Sequence, residues 1–239
     1  MGLGLWIYFN TNDGYYSFLG NYYDFYLWIL DKERSINLHH QKKIFILTII
    51  ILSTIVNLVG CSSDNFNHSD FEIEISGKKL EKLPKSGLDT VIGLDAPIVS
   101  GKSFIQENIK ISSAGKPTII LFLAHWCSHC QAEVDMLGPW IKDNPVSDDL
   151  NFFSIATSID KSRPNYPPNT WLDKGVWPVP TLVDDKDSSA GKAFGLTSFP
   201  TWIILDRDGK VINRFSGSIT TKDFINLTDF LLKEESIEK

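Results

Sequence analysis

The chain is poor in the residues that would settle its class at a glance. Only three of its 239 residues are cysteine, too few for a disulfide-stapled scaffold or a four-thiolate metal site. Basic residues are outnumbered, 23 against 29 acidic, and the net charge of -6 leaves no footprint for a phosphate backbone, which excludes nucleic acid as an expected partner. Methionine occurs only at positions 1 and 136. The apolar run Ile44 to Val59 stops at sixteen residues, short of the roughly 20 that span a bilayer. What remains, 43% hydrophobic and 22% charged residues, suits one globular domain with attachments and rules out disorder as the main state.

The attachments are at the front. Residues 1–30 contain no lysine or arginine, yet six of the seven tyrosines fall between Tyr8 and Tyr26, in neither a 3.6 nor a 2 period. Asp13 and Asp24 break any spanning run, so residues 1–37 read as an upstream extension of a mispredicted start rather than a packed domain. Residues 38–60 have the layout of a signal peptide: the short basic stretch His39 to Lys43, then the apolar run, then Leu58-Val59-Gly60-Cys61. That tetrapeptide resembles the bacterial lipobox, which implies that Cys61 is lipidated and becomes the first residue of the mature chain. An uncleaved anchor is the alternative, and either one tethers the domain to a membrane. Residues 61–87 are mostly polar and read as a tether, with one short alternating stretch, Phe71 to Ile75; the folded domain is expected over 88–235.

Within that domain strands and helices take turns. Thr118 to Leu123 is a continuous apolar run, the pattern of a strand covered on both faces. A helix begins at Ser128, with Pro139 in its middle, and Asn151 to Thr157 is a second buried strand. The stretch Lys161 to Pro180 holds five of the eleven prolines and leaves room only for a short helix around Thr170 to Lys174. Its Tyr166, Trp171 and Trp177 read as a packed loop ahead of a partner groove. Thr181 to Val183 is a third strand, a polar helix ends at Gly195, Thr201 to Leu205 pairs through the Asp206-Arg207-Asp208-Gly209 turn with Lys210 to Phe215, and Thr220 with Asp223 opens a last amphipathic helix. This order predicts an α/β fold with a central mixed sheet and helices on both faces.

The chemistry concentrates at Trp126-Cys127-Ser128-His129-Cys130. Two cysteines three positions apart, where a buried strand meets a helix, can close a small disulfide without moving the backbone. The helix N-terminus offers Cys127 free N–H groups and partial positive charge, which favour a thiolate nucleophile there. Cys130, one turn inside, is the resolving thiol. Glu133 lies on the same helix face as Cys130, either as its proton carrier or as a surface glutamate favouring the helix dipole. Zinc binding by the two cysteines with His125 and His129 would need four ligands within six residues to close a tetrahedron, and the expected metal content is none. Haem attachment fails because Gln131 follows the second cysteine.

At these residues the chain resembles the thioredoxin superfamily, and more narrowly its membrane-tethered TlpA and ResA-like branch. The features that carry the resemblance are Gly115-Lys116-Pro117, the Trp-Cys-x-x-Cys block with Glu133, and Gly195-Leu196-Thr197-Ser198-Phe199-Pro200-Thr201. The resemblance implies a thioredoxin-like fold, a cis Phe199–Pro200 bond facing the dithiol, and an extended substrate segment paired beside Phe199 and Pro200. It implies that Trp126 packs against the dithiol and that Glu133 tunes it, with an inserted helix and strand supplied by Asn165 to Val183. Where family members carry proline after the glutamate, Asp135 stands here.

The expected activity is thiol–disulfide exchange with protein thiols and disulfides of the cell envelope, on the outer face of the cytoplasmic membrane. It needs no cofactor beyond the Cys127–Cys130 pair, and a membrane electron donor or acceptor completes the cycle. Haem-protein maturation is the use that the resemblance suggests. The opposing expectation is a non-enzymatic envelope lipoprotein that uses the fold to hold a partner or to chaperone copper for cytochrome assembly. Relatives in this branch usually reduce their partners, but the His129 imidazole beside the dithiol can hydrogen-bond or charge-stabilise the Cys127 thiolate. That predicts a potential less reducing than the roughly -270 mV of thioredoxin.

Overall fold

The computed structural model describes the backbone of residues 7–11 and 14–18, residues 66–237, and side chains of the latter as far as Lys233. The chain divides into two units, Met1–Asp64 and Asn65–Lys239. In the first, β1 (Ile7–Thr11) and β2 (Gly14–Phe18) pair antiparallel as a hairpin, an arrangement the irregular aromatic pattern did not announce. The rest of the proposed extension, the signal peptide and Cys61 lie outside the described residues. Among the described residues, no helix is long and apolar enough to cross a membrane.

The second unit is built on two sheets. β3 (Glu74–Ser76), β4 (Ile98–Lys102) and β5 (Asn108–Ile111) form an antiparallel sheet in that order. The main sheet uses β6 (Thr118–Leu123), β7 (Asn151–Ala156), β8 (Thr181–Val183), β9 (Thr201–Leu205) and β10 (Val211–Ser216), ordered β10-β9-β6-β7-β8. β6 runs parallel to β7 and antiparallel to β9, so the sheet is mixed, as expected. The helices are α1 (Ser128–Asp143), α2 (Pro168–Lys174), α3 (Ser189–Ala193) and α4 (Thr221–Ile237).

Every residue of β6 is buried, and their alternation sorts the core into two layers. Ile119, Leu121 and Leu123 pack with Val134, Leu137 and Ile141 of α1, Trp171 and Leu172 of α2, and Phe224 and Leu231 of α4. Ile120 and Phe122 face the other way, onto Ala190 and Phe194 at α3 and onto Val99 and Ile111 of the small sheet. One face is therefore covered by three helices, the other by a five-residue helix together with a sheet. Thr220 caps α4 reciprocally: Asp223 N–H donates to its Oγ1 at 3.1 Å, while its own hydroxyl donates to the Asp223 carboxylate at 2.6 Å.

One boundary needs correction. The span 61–87 is not a tether as a whole, and the domain does not begin near Leu88; its unit starts at Asn65, and Phe71, Leu80 and Leu83 are buried in it. β3 pairs with β4, and Leu80 N–H and Leu83 N–H donate to the carbonyls of Ala193 and Gly195, each at 2.8 Å. Gly195, at φ +70°, is required there, because a Cβ would stand 2.2 Å from Glu81 O. Arg214, itself buried, binds Asp89 with two nitrogens at 2.8 and 2.7 Å and donates to Glu81 O and Phe194 O. The segment builds no core of its own. Leu80, set among lysines, joins the core on the second face of the main sheet, while Phe71 packs on Phe66 and Phe104, and a local polarity average hides both.

Each of Phe71, Leu80 and Leu83 contributes about 1.5–3 kcal/mol by burial. A chain beginning at Leu88 should therefore unfold at a clearly lower urea concentration than one beginning at Asn65. Equal midpoints would restore the tether reading.

Candidate active site

β6 runs out at Leu123, and the chain turns through buried Ala124 and His125 into α1. Cys127 is the N-cap of α1, with extended backbone (φ -82°, ψ 118°), and its carbonyl accepts the first helical bond from Gln131 N–H at 3.0 Å. Its side chain is half-buried and its thiol donates to Phe199 O at 3.5 Å. Cys130 is fully buried, accepting the Ala124 N–H on its sulfur at 3.5 Å. Both thiols are free. Burial pushes the Cys130 thiol far above its ordinary range, and the neighbouring Cys127 and Glu133 push it further. One thiol thus meets solvent beside helix N–H groups while the other is sealed behind it.

Phe199–Pro200 is a cis bond, as the resemblance implied, and Pro200 is buried while Phe199 is partly exposed. Tyr166–Pro167 is a second cis bond that nothing in the sequence marked. Trp126 packs its ring edge-on to Phe199, with centroids 5.9 Å apart, and donates its indole N–H to Ser158 O at 2.8 Å.

Glu133 is not a surface glutamate: it is fully buried on the α1 face that carries Cys130. Oε1 accepts Ile219 N–H at 3.2 Å, and among the described residues Oε2 has no hydrogen-bond partner. Burial pushes its carboxyl up to about 6, against the opposing pull of Ile219 N–H. α1 continues through Pro139, so the departure at Asp135 leaves Glu133 aimed inward. His129 is exposed, and among the described residues its ring makes no hydrogen bond with Cys127; its carbonyl accepts the Ser218 hydroxyl at 3.4 Å. The expected hydrogen bond from His129 to the nucleophile is therefore not formed.

Sequence reasoning missed the part played by His125. Its buried ring is turned away from the cysteines, with Nδ1 2.6 Å from Pro164 O and Nε2 accepting Asp160 N–H at 3.1 Å. Both nitrogens are engaged with backbone, which removes His125 from the zinc set. The signal available was a histidine two residues beyond a fully buried strand, where only a fully paired ring is cheap to bury. Trp171 is buried, Trp177 donates to Ser154 Oγ at 3.0 Å and Trp140 meets Phe224 edge-on, so these three belong to the core. Tyr166 packs on Phe66 and His125.

Compared with known families, the chain matches the thioredoxin-like domain over residues 105–232. It is 25% identical over 170 residues to the thioredoxin-like protein YneN of Bacillus subtilis, covering 71% of this chain and 89% of that one. It is 24% identical over 140 residues to the thiol:disulfide interchange protein DsbE homolog of Paracoccus denitrificans, covering 57% and 72%. Among solved structures, MTB DsbF in mixed oxidized and reduced forms is 25% identical, covers 55% of this chain and 93% of its own, and gives a TM-score of 0.47. With the matched region carrying the strand, the dithiol helix and the cis-proline loop, the chain belongs to the thioredoxin-like domain family and is a thiol–disulfide oxidoreductase.

Proposed function

We propose that the protein is a membrane-anchored, extracytoplasmic oxidoreductase that exchanges disulfides with envelope proteins through Cys127 and Cys130. The observation that carries this reading is the asymmetry of the pair: Cys127 half-exposed at the helix N-cap against Phe199 O, Cys130 sealed behind it. In the reducing direction the Cys127 thiolate attacks a substrate disulfide, forming a mixed disulfide and releasing one substrate thiolate. Cys130, deprotonated, then attacks the Cys127 sulfur; the second substrate thiolate leaves, and two electrons have passed to the substrate as the Cys127–Cys130 disulfide forms. The reverse sequence oxidises a substrate. No prosthetic group enters either direction, and a membrane electron donor or acceptor resets the pair.

Cys130 is hard to ionise, so its proton needs an acceptor, and Glu133 is that acceptor: its carboxyl, at about 6, is ionised at neutral pH and its charge acts on Cys130. Trp126 and Phe199 form the rim on which an extended substrate lies, with pairing along the backbone beside Pro200. Anchoring rests on the basic, apolar and Cys61 layout of residues 38–61. Two or three acyl chains hold a domain stably at a bilayer. The asymmetry of the two thiols, one at the surface and one sealed, favours exchange over the copper-holding alternative.

Three measurements bear on this reading. Brief alkylation at neutral pH should modify Cys127 more than about tenfold faster than Cys130, and Cys130→Ser should accumulate a mixed disulfide that Cys127→Ser cannot form. Equal labelling of the two thiols would sink the assignment. In a bacterial host, labelled fatty acid should mark the wild type and not Cys61→Ala; label kept by the variant would overturn the anchor.

The third concerns pH. The folded carboxyl of Glu133 titrates above its ordinary value of 4.5, so the native state binds that proton more tightly than the unfolded chain does. Wild-type stability should therefore decline relative to Glu133→Gln as pH rises from 4.5 to 6, and the difference should be flat above that window in urea unfolding. The same substitution should slow resolution of the mixed disulfide by about 100-fold and erase its inflection near pH 6. A difference independent of pH would remove Glu133 from the proton path.

A further inference from the structure

The connection between β7 and α2 is fastened more firmly than a surface loop requires. His125 holds Pro164 O and Asp160 N–H on its two ring nitrogens, and burial keeps the imidazole below its ordinary value, in the neutral form this pairing needs. The His125 carbonyl receives Asn165 Nδ2 at 3.2 Å and Gln131 Nε2 at 3.0 Å. Trp126 ties down Ser158 O, and Tyr166 donates its hydroxyl to Phe66 O at 3.3 Å. Ser158 and Asn165, near the two ends, take left-handed φ of +50° and +61°, strain that the clamp holds in place.

What this loop presents at the dithiol is a cation. Exposed Arg163 lies with its guanidinium carbon 4.4 Å from the centroid of the Trp126 ring, and Trp126 directly precedes the nucleophile. Arg163 is in no ion pair among the described residues. The acid of the loop, Asp160, accepts the Ser162 N–H and hydroxyl at 2.9 and 2.7 Å and stays ionised, and Arg163 feels it as a nearby charge without forming an ion pair with it. Lys161 is exposed beside it, and the residues after Cys127, Ser128 and His129, carry no negative charge. On a chain of net charge -6, this loop carries two cations, Lys161 and Arg163, against the single acid Asp160.

We propose that Arg163, held on Trp126 by the His125 clamp, is a specificity-determining residue that selects substrate segments with an acidic side chain close to the reacting cysteine. The proposal rests on the oxidoreductase reading above. An extended segment rising ~3.3 Å per residue, reacting at Cys127 and crossing the Trp126 edge, brings its second or third residue to the guanidinium. A carboxylate there is met in a planar fork, and stacking has already ordered the arginine, so binding costs less side-chain entropy than at a free surface cation.

The test uses two disulfide-linked peptides that differ only two and three positions from the cysteine, Glu-Glu in one and Lys-Lys in the other. Wild type should favour the acidic peptide by about fivefold in kcat/KM, mostly through KM, with the preference shrinking as salt is raised. Arg163→Glu should reverse the order, while Arg163→Lys should keep its sign. A wild type that does not discriminate, or an Arg163→Glu variant that slows both peptides by one factor, would overturn the proposal, the second outcome marking the arginine as structural. Absence of Cys127-dependent turnover with either peptide would bring down the oxidoreductase reading itself, and this inference with it.

Discussion

The rest of the molecule depends on β6 being buried on both faces. A strand enclosed in this way has no freedom to shift: a slip of one residue would exchange Ile119, Leu121 and Leu123 with Ile120 and Phe122 between two differently shaped layers. Its end is therefore a fixed point, and Ala124 to Cys127 is delivered from it to the start of α1. α1 is fixed in turn by Val134, Leu137 and Ile141 on the same core, which sinks Cys130 while leaving Cys127 at the cap. The difference between the two thiols thus comes from packing, with little local chemistry specific to either cysteine.

Two polar groups are buried beside this junction, and they are handled in opposite ways. His125 is satisfied at both nitrogens and serves as a fastening. Glu133 is left one oxygen short among the described residues, and the group that is short of a partner is the one whose protonation is balanced near pH 6. A fully paired group rigidifies; a partly paired one keeps a proton available.

Much of this was legible in the order of residues. β6, β9 and the dithiol helix followed from apolar runs, turn residues and the spacing of Cys127 and Cys130, because each of these is a local signal. The cis bond before Pro200 came from family resemblance. Whether Glu133 faced inward was not decidable from its spacing alone, since a helix face is defined only once its neighbours are placed, and Ile219 lies 86 residues away. The hairpin of β4 and β5 escaped notice because only Val99 and Ile111 among its residues are fully buried. Arg163 carried no signal at all, being one cation in a proline-rich stretch until the fold set it over Trp126.

The segment 66–87 touches both sides of the dithiol. Phe66 packs against Tyr166 of the clamped loop, and Leu80 and Leu83 are hydrogen-bonded to the stretch that leads into Phe199 and Pro200. A single run of chain therefore bridges two walls that are otherwise about thirty residues apart in sequence. Loosening 66–87 would therefore remove contacts from 158–166 and from 193–195 at once, so the two loops share one support.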